Sequence, residues 1–157
     1  KKTAWHHVKG FGRSWYLFLL ENLLGGKSGV MADTILARMN ADSSIGMVFP
    51  DDPYIVGWGG PNVVGRTANR VIAESFQSQL GMGKLPEHFT FPVGNMFWAR
   101  TSALVPFVNL EFDWDDYPEE PVPIDGTLLH AIERMLPLSL AANDLRFATT
   151  NVIGLTR

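Results

Sequence analysis

The chain has 157 residues, 46% of them hydrophobic and 18% charged, with a formal net charge of −3 and no cysteine. That length supports one domain with a core of its own, and the balance is far from a disordered profile. No basic stripe interleaved with aromatics is present, which argues against nucleic acid as a partner. The missing cysteines exclude disulfides, thiolate zinc sites and thiol chemistry.

In chain order, "SWYLFLLENLL" from Ser14 to Leu24 places Trp15, Leu19 and Leu23 on one face, a helix stopped by Gly25 and Gly26. Ser28 is expected to cap a second helix running to Met39, whose Met31, Ile35 and Met39 share a face. "SIGMVFP" is a short apolar run closed by proline, read as an inner strand. "DDPYIVGWGGPNVVG", with four glycines and two prolines, is a long loop. "RTANRVIAESFQSQLGM" is an amphipathic helix, with Ala68, Ile72, Phe76 and Leu80 spaced four apart. "FTFPVGNMFWAR" suggests a strand or bent strand pair, and "TSALVPFVN" a short helix. A helix over Thr127–Met135 turns Leu128, Ile132 and Met135 inward, and Pro137 ends or kinks it because proline has no backbone N–H. "LRFATTNVI" is a last strand. Helices alternating with short strands predict an α/β fold, with helices layered on a short-stranded sheet. Residues 1–157 form a single domain with no repeat or linker. The start on "KKTAWHHVKG", without methionine, suggests an excised fragment of a longer protein. No signal peptide is visible, and the longest apolar run, "WYLFLL", is far short of the roughly 20 residues of a membrane-spanning helix.

The chemistry-bearing stretch is "EFDWDDYPEEPVPID", with seven carboxylates in fifteen residues. It is either a solvated acidic loop or a site-bearing one. Trp114, Tyr117 and three prolines among the acids suit a stiff platform for a sugar, whose C–H faces pack on aromatic rings. Asp125 precedes Gly126-Thr127 at a helix start, so Asp125 or Thr127 is an N-cap candidate. Capping and catalysis are compatible, because a helix N-terminus favours an ionised carboxylate and a general base must be ionised. His130, Glu133 and Arg134 are expected on the outer face of that helix, with Glu133 in reach of His130. His6 and His7 diverge as neighbours and have no third ligand nearby, so no metal site is assigned. "GGKS" lacks phosphate-loop spacing, and "GWGGPN" lacks the strand-then-helix context of a dinucleotide site.

"FPVGNMFWAR", followed about twenty residues on by "YPEEPVPIDGTLLHAIERMLP", resembles the rhamnan synthesis protein F family of glycosyltransferase-like proteins in bacterial polysaccharide assembly. "SWYLFLLENLLGG" and "IGMVFP" resemble the family's helix and following strand, and the opening "KKT" resembles the end of a longer His-x-Lys-Lys-Ser/Thr motif. The same order resembles the acceptor-side half of GT-A glycosyltransferases, with Gly94, Asn95, Phe97, Trp98 and Arg100 as the strand and Asp125 as the first-turn aspartate. One departure is that "DWD" at Asp113–Asp115 follows that strand, whereas the family's metal-binding Asp-x-Asp lies in the N-terminal half.

The resemblance implies a fragment of a sugar transferase, with rhamnose as a candidate sugar, that builds lipopolysaccharide or other surface polysaccharide. The donor is a nucleotide-sugar bound in the full-length protein, with the metal requirement open. The acceptor is a nascent polysaccharide or glycolipid, and the expected location is the cytoplasm, with the inner-membrane surface as an alternative within it. Asp125 would be the base, Glu119 and Glu120 alternative bases or acceptor-orienting groups, and Trp98 and Arg100 would line or brace the acceptor pocket. Trp114, Tyr117 and His130 complete the substrate-facing set. Two competing classes stay open. One is a non-catalytic carbohydrate-binding or assembly domain. The other is a glycoside hydrolase with two carboxylates across a cleft.

Overall fold

The computed structural model describes residues 10–27, 29–52, 57–58, 63–123 and 125–153. His6, His7, Ser28, the opening "KKT" and much of the glycine-rich loop lie outside the described residues. Among the described residues five helices and a three-stranded mixed sheet make an α/β fold: α1 Phe11–Leu23, α2 Met31–Ala41, β1 Ile45–Pro50, α3 Val63–Phe76, β2 Trp98–Ala99, α4 Thr101–Val108, α5 Leu128–Leu138 and β3 Arg146–Thr150. The strand order is β2-β1-β3, with β1 antiparallel to β2 and parallel to β3.

Strand β1 is buried along its whole length, which is why it reads as a continuous apolar run. Met47 and Phe49 face Ala103 of α4, Leu136 of α5 and Leu140 just beyond it. Ile45 and Val48 face Ile35 and Met39 of α2. Strict alternation would put Ile45 and Val48 on opposite faces; a register irregularity between Ile45 and Met47 brings them together. Helices therefore cover both faces of the sheet. A second core joins α3 to α5 through Ala73, Phe76, Ala131 and Met135.

Several boundaries differ from expectation. Helix α1 starts at Phe11 rather than Ser14, because Gly10 takes a left-handed conformation (φ 87) as N-cap and its carbonyl accepts the Ser14 N–H at 3.0 Å. Helix α2 starts at Met31 with Val30, not Ser28, at the N-cap. Between these two helices Gly25 (φ 94) is required: a Cβ there would lie 2.1 Å from the Gly29 carbonyl oxygen. Helix α3 starts within the stretch expected as loop, and its buried stripe runs through Asn69, Ala73 and Phe76, with Ala68 exposed. The expected strand over residues 89–100 shrinks to Trp98–Ala99. Pro92 cannot donate to a ladder, and Gly94 (φ 83) and Asn95 (φ 54) turn the chain, closed by the Asn95 N–H on the Pro92 carbonyl at 2.9 Å. Helix α5 runs one residue past Pro137, into a short 3-10 stretch over Ser139–Asn143. Among the described residues no helix is long and apolar enough to cross a membrane.

Candidate functional site

The acidic segment between α4 and α5 folds into a short, stiff turn. Asp116 Oδ2 accepts the Asp113 backbone N–H at 2.8 Å, and Trp114–Asp116 forms a single 3-10 turn. Phe112 anchors it, edge-on to Phe76 of α3 with ring centroids 5.5 Å apart, and Tyr117 stacks edge-on to Phe112 at 6.4 Å. With Phe112 turned inward, Trp114 points away, and 89% of it is exposed. An exposed indole on a braced turn is unusual, because tryptophan is highly buried on average.

This turn forms one wall of an open groove of about 760 Å³. Trp114, Tyr117 and Pro118 give it ring faces; Asp115, Glu119 and Glu120 give it carboxylates. Val122 and Leu129, the latter on the first turn of α5, complete it. Glu120 Oε2 accepts the Val122 N–H at 3.1 Å, which ties the proline-rich strap to itself. Among the described residues no hydrogen bond engages the carboxylates of Asp115 or Glu119. The groove thus offers ring faces for C–H surfaces and acceptor-only oxygens for hydroxyl groups.

Asp125 is not among the residues lining that groove. It sits two residues before Thr127, the N-cap of α5, and Asn69 Nδ2 donates to its Oδ1. Arg134 Nη2 lies 3.5 Å from the same oxygen. Asn69 also accepts the Gly126 N–H at 2.8 Å through Oδ1, so one fully buried amide holds both residues. Gly126 has φ 78, a conformation suited to glycine, and a Cβ there would press on Ala68 at 3.3 Å.

Glu133 and Arg134, expected on the outer face, are buried. Arg134 lies 3.6 Å from Glu133, donates to the His130 carbonyl at 3.0 Å and stands 4.9 Å over the Phe91 ring. Glu133 Oε1 accepts the Gly94 N–H at 2.7 Å. Burial of these charges follows from such partners, because an unpaired charge would not be tolerated there. His130 Nδ1 meets Thr127 Oγ1 at 2.7 Å, one turn away, and does not line the groove.

Trp98 and Arg100 are spent on the scaffold. Trp98 Nε1 donates to the Leu23 carbonyl at 2.9 Å. Arg100 donates to the carbonyls of Ile45 at 2.9 Å, of Asp42 at 3.4 Å and of Met39, fastening β2 to the α2–β1 turn. Neither lines the groove. The structure therefore gathers Trp114, Tyr117, Glu119 and Glu120 into one place and separates them from Asp125, His130, Trp98 and Arg100. Asn69 and Leu129 were not singled out from the sequence; the one usable sign was a polar residue four positions before Ala73 on the inward stripe of α3. Among the described residues no three His, Asp or Glu side chains are grouped to hold a metal ion.

The model of the rhamnan synthesis protein F family matches residues 1–144. The chain belongs to that family. It is also 28% identical over 147 residues to the uncharacterized protein WxcX of Xanthomonas campestris pv. campestris strain B100, and equally to WxcX of strain ATCC 33913. These matches cover 93% of this chain and 20% of each relative, so the chain spans about a fifth of the length of the curated relatives it matches. No solved structure matches it.

Proposed function

We propose that this chain supplies the acceptor-glycan site of a longer glycosyltransferase that builds a rhamnan or related bacterial surface polysaccharide. The carrying observation is the groove, in which a fully presented indole stands beside Tyr117 and three carboxylates. Sugar rings stack their C–H faces on such aromatics, and their hydroxyls donate to carboxylates in strong, charge-assisted bonds. Family membership supports a polysaccharide context, and it makes rhamnose the first sugar to test. The likeness to a GT-A acceptor half rests on the order of motifs, and the small mixed sheet is compatible with it.

In this reading the nucleotide-sugar donor is held by other parts of the full-length protein, at the cytoplasmic face of the inner membrane. Glu119 or Glu120, on the groove, takes the proton of the acceptor hydroxyl as its oxygen bonds to the anomeric carbon, and the nucleoside diphosphate leaves with the electron pair. Asp125, with one oxygen already shared by Asn69 and Arg134, anchors the entry to α5. A non-catalytic binding module would share the groove. It is separated by the kinetics of full-length protein carrying Glu119→Gln and Glu120→Gln: a fall in kcat at saturating acceptor of about 10²–10⁴ marks a base, whereas a rise in KM alone marks binding.

The direct test is Trp114→Ala. Titrating a rhamnose oligosaccharide into the 157-residue chain should give binding that the variant loses. Thermal unfolding should stay in place, because the indole is outside the core. Undiminished binding in the variant would overturn the groove assignment.

A further inference from the structure

We infer that the groove discriminates by charge, accepting neutral saccharides and rejecting anionic ones, including the pyrophosphate of a nucleotide-sugar. This rests on the acceptor-glycan reading and adds a substrate class to it. Among the described residues, the groove is lined by the carboxylates of Asp115, Glu119 and Glu120 and by no lysine, arginine or histidine. Asp113 and Asp116, tied into the supporting turn, add to the same negative field. Arg134 does not line the groove; it is buried and held between Asp125 and Glu133.

Carboxylates are acceptors only. A neutral sugar brings hydroxyl donors to them, whereas a uronate or phosphate brings more acceptors and a like charge. The three lining carboxylates are exposed, so their repulsion of an anionic ligand acts through solvent over a Debye length of about 8–10 Å and weakens as salt is added. The selectivity therefore has a physical source in named residues, and that source can be removed without touching the aromatic wall.

The experiment titrates the 157-residue chain, at low salt, with a neutral rhamnose trisaccharide and with trigalacturonate, following the Trp114 indole N–H resonance. The expected result is binding of the neutral sugar and at least about tenfold weaker binding of the uronate, a factor that like-charge contacts readily supply. The gap should shrink with added salt. In the Glu119→Gln/Glu120→Gln variant it should shrink too, because the neutral sugar loses charge-assisted bonds and binds more weakly while the uronate is relieved of its repulsion. Both residues are exposed, and glutamine keeps an oxygen for the Val122 N–H, so the fold is preserved. Equal binding of both sugars overturns the charge selectivity while leaving the glycan site standing. A gap that survives the double variant overturns its assignment to these carboxylates. Binding of neither sugar removes the glycan reading and the selectivity together.

Discussion

Replacing Asp125 with asparagine tests whether that residue holds the fold. Its carboxylate is 20% exposed and faces an Arg134 side chain that is 7% exposed, at 3.5 Å. Removing one partner of a buried ion pair typically costs about 3–5 kcal/mol, because the other charge is left uncompensated. Here Glu133 keeps Arg134 partly paired at 3.6 Å, and the asparagine oxygen can still accept from Asn69, so the expected loss is lower, about 1–3 kcal/mol. Asp125→Ala also strands the buried Asn69 amide and should cost about 2–5 kcal/mol. Urea denaturation followed by far-UV circular dichroism measures both. For a chain of this size each kcal/mol corresponds to roughly 2–4 °C in melting temperature. The double variant Asp125→Asn/Arg134→Met should be less destabilised than the two single changes summed, since the charge left behind is gone. A loss below about 0.5 kcal/mol in Asp125→Asn, with additive behaviour in the double variant, would refute the anchoring role and return Asp125 to the list of candidate bases.

Three further outcomes are expected. Asp42 accepts from the Ser44 backbone and hydroxyl and from Arg146, and these bonds lower its pKa from 3.8 to about 2. Its contribution to stability is therefore full above pH 3.8 and lost as pH falls through about 2; carboxyl-carbon NMR should show this low titration, moving up toward 3.8 in Ser44→Ala. Gly25→Ala should cost more than about 2 kcal/mol in urea unfolding, since strain at positive φ is joined by a backbone clash; a near-neutral variant would mean that the α1–α2 turn is built otherwise. Arg100→Met should cost about 2–4 kcal/mol by leaving the carbonyls of Met39, Asp42 and Ile45 short of a donor, with glycan binding unaffected; loss of binding at unchanged stability would place Arg100 at the site instead.

Local patterns were enough to find most of the scaffold. Trp15, Leu19 and Leu23 on α1, Ile35 and Met39 on α2, and the apolar β1 all declare their burial through spacing alone. The stretch from Phe89 to Phe97 has strand composition, but Pro92 and two residues with positive φ outweigh it. The aromatic and acidic side chains of the groove were visible as a cluster because they are adjacent in sequence. Leu129, which closes the groove from α5, belongs to it only through the fold.

The polar lock was illegible for a different reason. Whether Glu133 and Arg134 lie inside or outside depends on partners beyond their own helix: the Gly94 N–H for one, and for the other Asp125, nine residues before it and itself held by the distant Asn69. Helical periodicity treats a charged residue as outward because burying it alone is prohibitive, and it cannot register that three distant groups remove the penalty. The same network explains why the strap can carry an exposed ring at all. Asn69 fixes Asp125 and Gly126 at its far end, and Phe112 fixes its near end against Phe76. Between two buried anchors the segment presents Trp114, Glu119 and Glu120 outward without needing core contacts of their own. Neighbouring carboxylates thus do different work: Asp125 secures the segment, and Asp115, Glu119 and Glu120 before it face solvent.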